Sequence, residues 1–116
     1  MIRELGDYIA DILTAAREVE EFTEGMDYEA FRADKKTINA VIRSLEVMGE
    51  AAKRIPEDVR AQYPDIPWKR IAGMRDKLIH EYAGVDLEVV WTVLNEELPP
   101  MKVHVENAAR DFGLDV

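Results

Sequence analysis

The sequence contains no cysteine, which removes disulfide frameworks and thiolate metal sites from consideration. It holds only two histidines, His80 and His104, far apart in the chain, and His104 has no acid or second histidine at metal-ligand spacing. A histidine zinc site is therefore not expected, and no metal or other cofactor is implied. No apolar run approaches the roughly 20 residues that a membrane span requires. The N-terminal stretch Met1-Ile2-Arg3-Glu4-Leu5-Gly6-Asp7 introduces acids early and lacks the apolar centre of a signal peptide. A cytoplasmic protein with no membrane partner is the expectation. Strand-period alternation, internal repeats and low-complexity tracts are missing too, which leaves helices.

What is present fits one soluble globular domain over residues 1–116, with 47% hydrophobic and 34% charged residues. The formal net charge of −9 argues against nucleic acid as a general partner, but its distribution is uneven. Residues 1–31 carry two basic and nine acidic side chains, and residues 78–116 two basic and eight acidic. Residues 32–77 reverse the balance, with eleven basic and seven acidic. Two solvated acidic ends around an ordinary middle would produce this pattern, and so would a local surface suited to phosphate. Composition alone favours the former.

The spacing predicts a four- to five-helix, up-and-down, all-α bundle. Ile2, Leu5, Ile9, Ile12, Leu13, Ala16, Val19 and Phe22 form one apolar stripe on a helix over 2–24, stopped by Gly25. A short turn over 28–33 carries Phe31 inward. Asp34 caps a second long helix over 35–55, with Ile38, Val41, Ile42, Leu45, Met48, Ala51, Ala52 and Ile55 on its buried face, and Pro56 ends it. Another short helix over 57–63 leads into the rigid link Tyr63-Pro64-Asp65-Ile66-Pro67-Trp68, and a third helix opens at Pro67 or Trp68. It frays around Tyr82-Ala83-Gly84. Asp86 caps a fourth, Pro99-Pro100 breaks or bends it, and Met101 to Phe112 closes the chain.

His104 has no acid at helical spacing, since Glu106 is two residues away, and no special role is assigned to it. His80 differs, because Asp76 lies four residues earlier and can share its face, accept an imidazole proton and orient the ring. Arg75 is five residues from His80, about 140° around an ideal helix and ~7.5 Å along it, so the two side chains diverge within one straight helix. They can cooperate if the helix unwinds near His80, or if two copies of the protein face each other. Histidine can move a ribose 2′-OH proton near neutral pH, and arginine can hold the scissile phosphate by two parallel hydrogen bonds. Together they suffice for RNA transphosphorylation without a metal. Lys69, Arg70 and Lys77 could track a phosphate backbone. A plain helix-end ion-pair cluster with Asp76 and Glu81 accounts for the same residues, and without further information it is the better account.

On the second long helix, Arg43 and Glu46 stand at i, i+3 ahead of Gly49-Glu50. A mid-helix glycine costs about 1 kcal/mol against alanine, so Gly49 needs a packing reason, and close approach of another helix is the simplest. Glu46 and Glu50 could receive Arg43, Lys53 or Arg54, or reach Arg75 across the core. An ordinary ion-paired face is the simpler reading of Glu50.

Taken together, Ala40 to Lys53 with its Gly49-Glu50, the Ile66-Pro67-Trp68 link, the Arg75 to Tyr82 segment in the form R-x-x-x-x-H-x-Y, and Trp91 and Leu98-Pro99 resemble the HepT-like family of the HEPN superfamily. The resemblance runs nearly end to end, from Asp7-Tyr8-Ile9-Ala10-Asp11-Ile12-Leu13 onward. It implies a helical homodimer with both R-x-x-x-x-H motifs in one cleft, Arg75 as phosphate binder, His80 as acid/base, and Asp76 in a supporting place. It also implies the toxin of a type II-like toxin–antitoxin pair, a metal-independent endoribonuclease acting on RNA. Its partner would be a nucleotidyltransferase antitoxin of the MNT type that transfers AMP to Tyr82. The alternative within the same superfamily is a non-catalytic module that binds a nucleotide or partners a nucleotidyltransferase. A purely structural helical dimer is the third reading.

Overall fold

Local capping chemistry sets most of the helix starts. The computed structural model describes residues 3–80 and 84–116, with the side chains of 78–80 excepted. In α1 (Leu5–Phe22), Glu4 and Asp7 form a reciprocal box in which the Glu4 N–H donates to the Asp7 carboxylate at 2.9 Å. The helix ends in a turn at Gly25, whose φ of +77° lies in the left-handed region that glycine enters without strain. Asp27 accepts the Ala30 N–H at 2.8 Å and starts α2 (Tyr28–Ala33). Asp34 does the same for α3 (Lys35–Lys53), accepting the Thr37 N–H at 3.1 Å and its hydroxyl at 2.8 Å.

Those two Thr37 bonds, the N–H first, hold the Asp34 carboxyl below its ordinary value of 3.8. A carboxyl depressed in the folded state contributes stability that is present above its unfolded value and lost as pH falls through the folded one. Asparagine caps as well as aspartate but does not titrate. Thermal melts at pH 7 and pH 3 should therefore show a smaller acid-induced loss for Asp34→Asn than for the wild type. An identical loss in both would remove the cap from the acid response.

At the other end of α3, the Arg60 guanidinium of α4 (Glu57–Gln62) donates to the Ile55 and Ala52 carbonyls, each at 2.9 Å, and so satisfies groups the helix leaves open. The Trp68 indole N–H bonds the Tyr63 carbonyl at 3.1 Å, which locks the proline-rich link ahead of α5 (Trp68–His80). Asp86 caps α6 (Leu87–Thr92).

The chain then departs from expectation. The change expected at Pro99-Pro100 falls just ahead of them, and the last helix starts at Leu98 rather than Met101. A π-helical turn over Val93–Glu97 precedes the pair, in which the Leu98 N–H reaches back to the Val93 carbonyl, and α7 runs over Leu98–Asp111. The prolines thus fall in its first turn, where their missing N–H groups are not needed. The wider turn absorbs what two prolines inside a continuous α-helix would clash with.

Among the described residues there is no strand. Helix α3 is central, packing on α1 on one side and α5 on the other, while α7 lies against α1. The expected stripes meet there: Ile9, Ile12, Val19, Val41, Leu45, Ala52, Ile71 and Val105 are buried in one continuous apolar core. Phe31 is fully buried, and its ring packs on Trp91 at 5.1 Å, tying α2 to α6. No helix of the described residues is long and apolar enough to cross a membrane.

Candidate functional site

Gly49 determines where the site lies. A Cβ built on it would meet the Arg75 Cβ at 2.1 Å and the Ile71 carbonyl oxygen at 3.0 Å. The backbone of α3 therefore touches the base of Arg75 directly, which is the packing reason a mid-helix glycine requires. The arginine is driven sideways out of this crossing, with 28% of its side chain exposed.

Its guanidinium is held by two carboxylates. One Nη lies 3.2 Å from Glu50 and the other donates to Asp76 at 3.2 Å. Glu50 also pairs with Arg54 at 3.2 Å, and Asp76 receives a short bond from the Lys53 ammonium. The result is a chain of alternating charge, Lys53–Asp76–Arg75–Glu50–Arg54, with three cations and two anions. The Lys53 bond is the main cause that holds the Asp76 carboxyl below the usual carboxylate range; partial burial opposes it and Arg75 adds to it. Asp76 is therefore ionised at neutral pH. Arg75 is oriented before any ligand arrives, which lowers the entropy cost of binding one.

Glu50 is thus more than a member of an ordinary ion-paired face: it is a direct partner of Arg75. Lys53 as the partner of Asp76 has no signal in the sequence. Arg43 and Glu46 form a loose pair at 4.0 Å, with Arg43 75% exposed. Both line the same groove as Arg75, a hollow of about 450 Å³ that also takes in Arg3, Tyr8 and Asp11. Nothing in the sequence points to the α1 side of that groove, because those residues lie far from Arg75 in the chain and meet it only through packing.

The other basic residues separate from Arg75. Lys69, Arg70 and Lys77 line a different, more apolar cleft of about 370 Å³ with Val85, Val89 and Val93. Arg70 is committed there, gripping the two oxygens of Glu97 at 2.5 and 2.7 Å. His104 is half-buried on α7.

Helix α5 continues without a break through His80. The His80 side chain and all of Tyr82 lie outside the described residues, so the expected contact of Asp76 with His80 and the place of Tyr82 belong to the proposals below. Among the described residues, no group of three or more histidine or acidic side chains is arranged to hold a metal ion.

An all-helical bundle carrying Arg75 and His80 on a helix clamped against a Gly-Glu helix is a HEPN-type architecture. The chain belongs to the ribonuclease HepT-like family, whose model matches residues 12–108. A relative from Thermococcus cleftensis, named "Probable ribonuclease HepT", is 50% identical over 88% of this chain and 93% of its own length. One from Methanocaldococcus jannaschii, named a "Putative RNase", is 48% identical over 95% of both chains. Another so named, from Caldanaerobacter subterraneus, is 40% identical over 85% of this chain and 88% of its own. No solved structure matches the chain.

Proposed function

We propose that this protein is a metal-independent endoribonuclease, the toxin of a toxin–antitoxin pair, working in the cytoplasm as a homodimer. The observation that carries the reading is Arg75: a guanidinium fixed over Gly49 by two carboxylates, on a helix that runs unbroken to His80. An unbroken helix keeps the two side chains of one copy about 140° apart. Of the two ways they could cooperate, facing copies of the protein then fit better than local unwinding.

In such a cleft Arg75 binds the scissile phosphate and stabilises its developing charge. His80 takes the proton from the ribose 2′-OH, whose oxygen attacks phosphorus, and a protonated imidazole returns a proton to the departing 5′-oxygen. The products are a 2′,3′-cyclic phosphate and a free 5′-hydroxyl. Asp76 supports the site by holding Arg75, and its spacing of one helical turn from His80 favours a second role in orienting the ring. Glu50, with Arg43 and Glu46 further along α3, supplies the polar wall.

The antitoxin in this reading is a nucleotidyltransferase that transfers AMP to Tyr82. A charged nucleotide beside His80 blocks RNA by bulk and by like-charge repulsion. Intact mass measured with the partner and ATP should show added adenylyl groups that vanish in Tyr82→Phe, with RNA cleavage lost in the modified form. Modification of Tyr82 in a protein that never cleaves RNA would favour the non-catalytic, partner-binding reading.

A further inference from the structure

The groove beside Arg75 is unusual for so acidic a chain. Four arginines line it, Arg3, Arg43, Arg54 and Arg75, against the carboxylates of Asp11, Glu46 and Glu50, a positive balance within a protein of net charge −9. Arg43, Glu46, Glu50 and Arg54 form a single stripe on α3, spanning about 16 Å of helix, the reach of a few nucleotides. The stripe starts at the motif, since Glu50 joins Arg54 to Arg75. On the facing wall the Arg3 guanidinium lies over the Tyr8 ring at 4.9 Å from the centroid, so a flat group already stacks on this face and a base would take the place of Arg3 there.

The arginines of this stripe are lightly held. Arg43 is 75% exposed with its carboxylate at 4.0 Å, and Arg54 is 61% exposed with its own at 3.2 Å. Exposed pairs of this kind contribute little to stability, whereas an arginine gains strong parallel hydrogen bonds from a phosphate. Both can therefore exchange carboxylate for phosphate without disturbing the fold. The three carboxylates limit the number of phosphates the groove can take and keep the surface from being a general polyanion binder.

We propose that the groove between α1 and α3 is the track for the single-stranded RNA flanking the bond to be cut, with Arg43 and Arg54 on successive phosphates and Tyr8 as a stacking platform for a base. The proposal rests on the ribonuclease reading above and adds the route by which substrate reaches Arg75. It also places productive approach on this one face, where the α1 wall contributes Arg3, one of the two basic residues of the otherwise acidic N-terminal stretch.

The test is fluorescence anisotropy with a single-stranded oligonucleotide bearing 2′-O-methyl riboses, which binds but cannot be cut. Binding of the full-length wild type is compared with the Arg43→Ala/Arg54→Ala double variant over a salt series. The double variant is expected to bind at least about tenfold more weakly, with the log–log salt slope shallower by ~0.7 for each phosphate no longer neutralised. An Arg43→Lys/Arg54→Lys variant, which keeps the charges, should retain the wild-type slope, and melts of all variants should match. Unchanged affinity and slope in the double variant overturn the track; if natural RNA is still cut, the roles of Arg75 and His80 are untouched. Loss of dimer mass in the double variant also overturns it, because the groove is then a face between copies. Weakened binding in a protein that never cuts natural RNA supports the track and sinks the catalytic reading instead.

Discussion

Gly49→Ala is expected to destabilise the protein by about 3 kcal/mol, at the upper end of what overpacking a tight contact costs, despite alanine's better helix propensity. The added methyl would sit 2.1 Å from the Arg75 Cβ, an atom fixed to the α5 backbone, so no rotamer change can relieve it. The helices α3 and α5 must separate, and the core they share must loosen. The melting temperature should fall by roughly 10 °C for a domain of this size. The nature of the clash dictates its rescue. Arg75→Ala keeps the offending Cβ, so Gly49→Ala/Arg75→Ala should remain as destabilised as the single variant. Gly49→Ala/Arg75→Gly removes it and should recover much of the loss, net of the extra glycine in α5. A Gly49→Ala protein that melts with the wild type would mean that the two helices are not held in this contact.

His80→Ala and Arg75→Ala should each reduce RNA cleavage by at least about 100-fold. General acid–base groups contribute roughly 10²–10⁴-fold, and a positioned charge stabiliser about 10²–10³-fold. The two losses should differ in kind. In the proposed mechanism Arg75 holds the phosphate in ground and transition states alike, so its removal should weaken binding of the 2′-O-methyl oligonucleotide as well as turnover. His80 in that mechanism moves protons only, so its removal should leave that binding nearly intact. Arg75→Lys should not restore activity, because one ammonium cannot reproduce two parallel guanidinium bonds to phosphate while also spanning Glu50 and Asp76. Cleavage by His80→Ala at the wild-type rate would remove histidine from the reaction.

How much of this is legible in the sequence follows the range of the interactions. Helix identity is readable because the apolar stripes of α1 and α3 are strictly local patterns, and because Asp34, Asp86 and Pro56 act on their own neighbours. The crossing at Gly49 is readable for a related reason: a mid-helix glycine is a local cost that demands a distant cause. The Pro99-Pro100 pair marks the change too late in the chain, because the π-helical turn that accommodates it carries no separate signature in Val93–Glu97. Ion-pair partners are the least legible. Asp76 stands at helical spacing from His80 in the sequence, but in the structure it is bonded to Lys53, 23 residues away. The register between α3 and α5 makes that bond, and no periodicity within either helix encodes it. The same limit hides Arg3, Tyr8 and Asp11, which reach Arg75 only once α1 has packed on α3.

The most direct measurement of the central claim, that Arg75 and His80 of facing copies make one metal-independent site, is a complementation assay in EDTA. The inactive Arg75→Ala and His80→Ala proteins are mixed, subunit exchange is verified by native mass, and RNA cleavage is followed. In a two-fold symmetric dimer with composite sites, each mixed dimer regains one site holding an intact Arg75 from one protomer and an intact His80 from its partner. The account predicts that the mixture cuts RNA where neither protein alone does, leaving 2′,3′-cyclic phosphate ends. Mixed dimers that form and remain as inactive as their parents would contradict it.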